Sequence, residues 1–163
     1  MSQILDTTAR PPLHRRIPAH VAITAARILA RLPPRRIRTI LQALRRGAAP
    51  ATYEQALAAR TDIIATSVCC AGRHCLPRSL ATTLLCRMRG VWPTWCTGVR
   101  TSPFTAHAWV EVAGQPVGEP TDTPSYRPIL TVSPLAITPT ASAPSTTKCM
   151  PEGMPPSPGV RDP

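Results

Sequence analysis

The stretch Arg73-His74-Cys75-Leu76-Pro77-Arg78-Ser79-Leu80 decides how the chain reads, because it opens a helix running to about Arg89. Leu76, Leu80, Leu84 and Met88 recur at every fourth position, with Ala81 and Leu85 beside them, so one broad stripe is apolar. Pro77 fits a first turn, where its missing N–H costs nothing, and Gly90 supplies the stop. Cys75 then stands at the helix N-terminus, where unpaired backbone N–H groups and the positive end of the dipole favour an anion. A thiolate forms more easily there than the free-cysteine pKa of about 8.5 allows.

Downstream of Gly90 the period changes from 3.6 to 2. Thr94 to Arg100 reads as a strand with Trp95, Thr97 and Val99 on one side, and Ser102-Pro103 marks a turn. Ala106 to Val112 is a second strand, with Ala108, Val110 and Val112 on one face and His107, Trp109 and Glu111 on the other. Gly114 marks the next turn, Gln115 to Glu119 returns, and Arg127 to Val132 is a last strand that begins at an edge, since Pro128 lacks a ladder donor. Upstream, the pattern predicts three helices. The first spans Ala19 to Leu32 with Val21, Ala25, Ile28 and Leu32 on one face, stopped by Pro33-Pro34. The second spans Arg35 to Arg46, with Ile37, Ile40, Leu41 and Leu44 in phase and Gly47 just beyond. The third starts at Thr52, where Thr52-x-x-Gln55 has the form of a capping box, and runs toward Val68.

The expected organisation is therefore a flexible N-terminus at 1–18, an Arg-rich helical region at 19–68, a core at 69–133 and a disordered Pro/Ser/Thr-rich tail at 134–163. The fold class is α+β, with N-terminal helices followed by a cysteine-bearing helix packed on a small antiparallel sheet. The net charge of +11 raises the question of a nucleic-acid partner. Eighteen of the nineteen basic residues are Arg in a chain rich in Ala and Pro, and the scarce aromatics are not interleaved with them. A stacking platform for single strands is not expected, so no nucleic-acid partner is assigned. No window approaches the ~20 apolar residues of a membrane span, and no apolar run precedes Pro11-Pro12 as a signal peptide would require. The reading is cytoplasmic, where six cysteines are thiols, ligands or a nucleophile more often than a disulfide framework.

Thiol catalysis needs a thiolate, an imidazole within hydrogen-bond reach and a third group orienting that imidazole. Cys75 and His107 fit the first two roles. Each taken alone has a bland reading, Cys75 as a small buried hydrophobe and His107 as a structural histidine. Zinc is a rival through Cys69, Cys70, His74 and Cys75, but there is no C-x-x-C pair, and adjacent cysteines clamp a tetrahedral ion poorly. No metal or other cofactor is assigned. Among the acids, Glu111 lies four strand residues from His107, roughly 13 Å by strand rise and too far to orient the ring. Glu119 faces His107 if Glu111 pairs with Gln115 around a three-residue loop, Val112-Ala113-Gly114, whereas a two-residue loop turns Glu119 to the other face. Asp122 is the reserve.

The run C-L-P-R-S-L-A-x-x-x-L-L-x-R-x-R-G from Cys75, then G-V-R-x-x-P-F-x-A-H-A-W-V-E-V-x-G-Q-P-V, resembles the transglutaminase-like protease of lasso-peptide biosynthesis, the B protein. The match is dense over about residues 73–120 and loose over the preceding helices. The resemblance implies a transglutaminase/papain-like core at 69–133, with Cys75 as nucleophile and His107 as general base. It also implies an acid twelve residues past the histidine, at Glu119, where the family usually has Asp. It implies a leader peptidase that frees the core N-terminal amine of a ribosomally made precursor for an ATP-dependent macrolactam cyclase. Fused members carry a winged recognition unit of strands and helices. Residues 1–68 read as helices alone, so the resemblance is to the split form, with a separate leader-recognition protein as partner. A cysteine acyltransferase on the same fold and a non-catalytic Arg-rich binding module are the alternatives.

Overall fold

The computed structural model of the chain describes residues 13–67 and 74–135. Its elements are α1 (Leu13–Leu29), α2 (Pro34–Leu44), β1 (Ala49–Pro50), α3 (Tyr53–Thr66), α4 (Cys75–Met88), β2 (Val91–Trp92), β3 (Thr94–Thr101), β4 (Phe104–Val112), β5 (Gln115–Pro116) and β6 (Arg127–Val132), with a short 3-10 turn at Thr123–Ser125. The last four strands form an antiparallel sheet in the order β5-β4-β3-β6, which bears out the α+β class. β1 and β2 make a separate two-residue parallel pair that ties the α2–α3 connection to the chain leaving α4.

α4 is the centre of the core. α1, α3 and β4 all pack on it, and every residue from Ser79 to Cys86 is buried. The sequence predicts a one-sided stripe, but the helix is enclosed on all sides, and Met88, the last member of that stripe, is 52% exposed. Enclosure is tolerable because the hydroxyls find partners within the helix. Ser79, Thr82 and Thr83 donate to the carbonyls of Leu76, Arg78 and Ser79 at 3.0, 2.9 and 2.9 Å. Trp95 of β3 then donates its indole N–H to Ser79 Oγ at 3.1 Å, pinning the helix to the sheet.

α1 departs from its sequence reading twice. It begins at Leu13, with Pro18 inside it, so residues 13–18 are helical rather than part of a loose N-terminus. Arg15 holds this early turn through a 3.2 Å ion pair to the buried Asp62 of α3, which Arg89 also contacts. The buried face is also different: Ala19, Ala22, Ile23 and Ala26 face inward, while Val21 and Ile28 are more than half exposed. The small alanines let α1 lie close against α4, and that close approach outweighs the larger apolar residues on the opposite side. α2 and α3 keep the predicted boundaries to within a residue or two where they are described. The capping box at Thr52 is formed, with Thr52 Oγ1 accepting from Gln55 N and Gln55 Oε1 accepting from Thr52 N.

The turn after β4 also departs from its sequence reading. Val112 pairs with Gln115 and Glu111 with Pro116, so the loop is the two-residue Ala113-Gly114, with φ of 50° and 79°, in place of the three-residue loop predicted. β5 ends at Pro116, short of the predicted Glu119.

Gly98 of β3, opposite His107, lies where β6 shifts register. A Cβ there would stand 2.4 Å from the Arg127 carbonyl oxygen and 3.0 Å from the Trp109 ring. We therefore expect Gly98→Ala to destabilise the fold by about 1–3 kcal/mol or more, as overpacking against backbone does. A chemical-denaturation midpoint indistinguishable from the parent protein would contradict this packing.

Candidate active site

Cys75 is the first residue of α4, so its N–H and that of Leu76 have no acceptor within the helix. The thiol is half-buried and hydrogen-bonds the His107 imidazole, and the backbone N–H groups of Ala108 and Leu76 also point at the sulfur. The hydrogen bond with His107 lowers the Cys75 pKa against the opposing effect of burial, with the two backbone donors helping.

His107 projects from β4, and its Nε2 lies 3.0 Å from Glu119 Oε2. With Nε2 engaged there, Nδ1 is the nitrogen left for the thiol. The hydrogen bonds to Cys75 and Glu119 outweigh burial and raise the imidazole to about 9. The two shifts, Cys75 down and His107 up, both favour the thiolate–imidazolium pair over the neutral pair. The ring stacks on Trp109 at a centroid distance of 6.0 Å and packs against Tyr126 at 5.1 Å, which limits its rotation.

Glu119 is the most enclosed carboxylate of the site, with a side chain 3% exposed. Its Oε1 accepts from Arg60 Nη2 at 2.9 Å, and Oε2 faces Arg78 Nη2 at 3.5 Å. Burial pushes the carboxyl up, but the hydrogen bond from His107 and the charges of Arg60 and Arg78 together hold it below its ordinary value. Gly118, with φ of 59°, swings the chain off the β4 ladder and onto α3. Its N–H donates to the Tyr53 hydroxyl at 3.4 Å, and a Cβ there would press on Leu57 and Arg60.

The structure thus brings Cys75, His107 and Glu119 together and leaves Asp122 outside. Asp122 pairs with Arg100 at 3.2 Å and its side chain is 54% exposed. Glu111 accepts from the Trp109 indole at 3.1 Å. Cys69 and Cys70 of the zinc alternative, and Cys149, lie outside the described residues. Among the described residues no group of three or more His, Cys, Asp and Glu is arranged to hold a metal, and no helix is long and apolar enough to cross a membrane.

Sequence reading missed Arg60 and Arg78. Arg60 carried a usable signal, because it falls in phase with Ala56, Ala59 and Ile63 on the buried face of α3. A guanidinium on an apolar face requires a buried anion. Several other arginines also have structural partners: Arg87 donates to the Leu44 and Arg46 carbonyls at the end of α2, and Arg45 to that of Ser133.

A family model described as the transglutaminase-like superfamily matches residues 19–131, and the chain belongs to that superfamily. The superfamily consists commonly of cysteine-dependent enzymes and includes cysteine proteases and acyltransferases. Comparisons with curated proteins and with solved structures gave no significant match.

Two outcomes follow from this geometry. At limiting iodoacetamide and neutral pH, Cys75 is expected to be alkylated well before Cys86 and Cys96, whose thiols burial pushes up to about 12. Mass mapping that finds Cys86 or Cys96 labelled first would refute the assignment. Glu119→Gln should bring the His107 pKa down from about 9 and slow Cys75 alkylation, whereas Asp122→Asn should leave both in place. The readout is imidazole titration by NMR with circular dichroism confirming the fold, and a reversed ranking would return the role to Asp122.

Proposed function

We propose that this protein is a cysteine peptidase that removes the leader from a ribosomally made lasso-peptide precursor. The observation that carries the reading is the array of Cys75 at the start of α4, His107 beside it and the buried Glu119 behind the imidazole. Within the superfamily, the resemblance carried by the motif run through A-H-A-W-V-E-V supports this activity.

In this mechanism the thiolate of Cys75 attacks the carbonyl at the leader–core junction, and the developing oxyanion is met by the Cys75 N–H at the positive end of α4. His107 gives its proton to the departing amine, which breaks the C–N bond and leaves a thioester on Cys75. Water then attacks the thioester as His107 takes its proton, releasing the leader as a carboxylic acid and restoring the thiol. Glu119 orients the ring and stabilises its cation throughout, as the acid of a triad does. The released amine of the core peptide is the group that an ATP-dependent macrolactam cyclase would join to a side-chain carboxyl.

A separate leader-recognition protein is part of the proposal. The described residues ahead of α4 form α1, α2, α3 and the two-residue β1, and their buried apolar side chains are used in the catalytic core, while Val21 and Ile28 of α1 stay exposed. In this reading leader capture falls to the separate protein. Adding the recognition partner should lower the apparent KM much more than it raises kcat, since presentation contributes binding common to ground and transition states. Rapid cleavage of micromolar precursor without a partner would remove it from the scheme.

The direct test is cleavage of precursor by the full chain, read by mass spectrometry. Cys75→Ala should abolish it, and persistence of cleavage, or a product joined to an added amine in place of free acid, would overturn the peptidase reading. The pH dependence has a defined sign. The thiolate exists above the lowered Cys75 pKa and the imidazolium below about 9, so kcat/KM should be highest between them and fall as pH rises through about 9. An alkaline limb near the ordinary histidine value of about 6.5 would contradict the ion pair.

A further inference from the structure

A cavity of about 320 Å³ opens directly beside Cys75 and His107. Pro34 and Ile37 of α2 form one wall, Thr97 and Val99 of β3 the floor, and Leu130 of β6 the far side. Among the described residues, none of the side chains lining it is an arginine, lysine or carboxylate, although the chain carries a net charge of +11. Its mouth is apolar as well. Ile129 of β6 lines it while 63% exposed. An apolar side chain in water at the edge of an apolar cavity is surface that a bound apolar group would cover.

Among the described residues, Cys75 and His107 both open onto this cavity. The opposite flank of His107 is filled by Glu119, Arg60 and Arg78. A substrate carbonyl within reach of the Cys75 sulfur therefore approaches across the cavity. Each extended residue advances roughly 3.3–3.6 Å, so the side chain one or two residues from that carbonyl falls over the opening.

Resting on the peptidase reading above, we propose that this cavity is the specificity pocket and that it selects a substrate with a bulky apolar side chain within two residues of the bond cleaved. An uncharged polar side chain of the same shape is rejected, because the pocket offers little beyond the Thr97 hydroxyl to replace the water it would lose.

The experiment uses peptidyl electrophiles that alkylate a thiolate, identical except for a Leu or an Asn at the position next to the reactive carbon or the one beyond it. Second-order labelling rates at Cys75 are measured in the full chain, each divided by the iodoacetamide rate of the same protein. At one of the two positions the Leu reagent should label about tenfold faster or more than its Asn isostere. Ile129→Asp, at an exposed position that the fold tolerates, should reduce that preference at least severalfold. Equal rates for Leu and Asn at both positions, with Cys75 still reacting promptly with iodoacetamide, would overturn the pocket and leave the nucleophile assignment intact. Failure of every reagent to label Cys75, iodoacetamide included, would instead overturn the peptidase reading and this proposal with it.

Discussion

The arrangement depends on one buried carboxylate. Glu119 is almost wholly removed from water, and an anion in that position survives only with partners on more than one side. Arg60 comes from α3, Arg78 from α4 and His107 from β4, so a single side chain ties two helices to the sheet. Removing one partner of such a group typically costs about 3–5 kcal/mol, because the remaining charge is left stranded. The same contacts that stabilise the anion also fix the imidazole. Two cations hold the carboxyl ionised, the ionised carboxyl raises His107, and raised His107 favours the thiolate at Cys75. Structural and chemical roles cannot be separated here, since both are the interaction of Glu119 with its donors.

That chain of effects requires Cys75 and His107 to stay in register, though they lie on different elements. α4 is held by being surrounded. An enclosed helix that carries Ser79, Thr82 and Thr83 would ordinarily be penalised, but back-bonding to its own carbonyls leaves each hydroxyl satisfied. Ser79 does more, accepting from Trp95 across the helix–sheet interface one turn after Cys75. The backbone of β4 completes the link, because the Ala108 N–H reaches the sulfur while the neighbouring side chain, His107, takes its proton. Strand alternation therefore presents a donor and a base to one thiol from adjacent residues.

Much of this was legible in the sequence. The switch from helical to alternating periodicity at Gly90 marked where the helix hands over to the sheet, and Gly90 has φ of 81° as a helix stop of that kind requires. Thr52 and Gln55 announced their helix start correctly, because a capping box is a local interaction. Apart from the length of the turn at Ala113-Gly114, the errors are tertiary. The inward face of α1 was misread because Val21 and Ile28 are larger than Ala22 and Ala26, while the packing against α4 rewards small side chains. The stripe on α4 was too narrow because periodicity cannot reveal how many neighbours a helix has. Arg60 and Arg78 went unassigned because an ion pair spanning residues 60 and 119 leaves no local trace beyond the phase of Arg60.

The hairpin register that points to Glu119 in the sequence is not the one the fold uses, although the residue is the same. A two-residue turn at Ala113-Gly114 puts position 120 opposite His107, and an unbroken ladder would carry Glu119 away from the imidazole. The ladder does break. Val117 still donates to the Val110 carbonyl at 2.8 Å, and the next residue, Gly118, takes the left-handed conformation that redirects the chain. Position 119 thereby descends between α3 and α4 rather than standing beside β4, and its carboxylate must reach back toward the strand. The additional methylene of Glu over Asp fits that longer path, and it allows Oε1 to meet Arg60 while Oε2 meets His107. Glycine at 118 and glutamate at 119 are on this argument a coupled pair, one setting the direction of the chain and the other the reach that the direction demands.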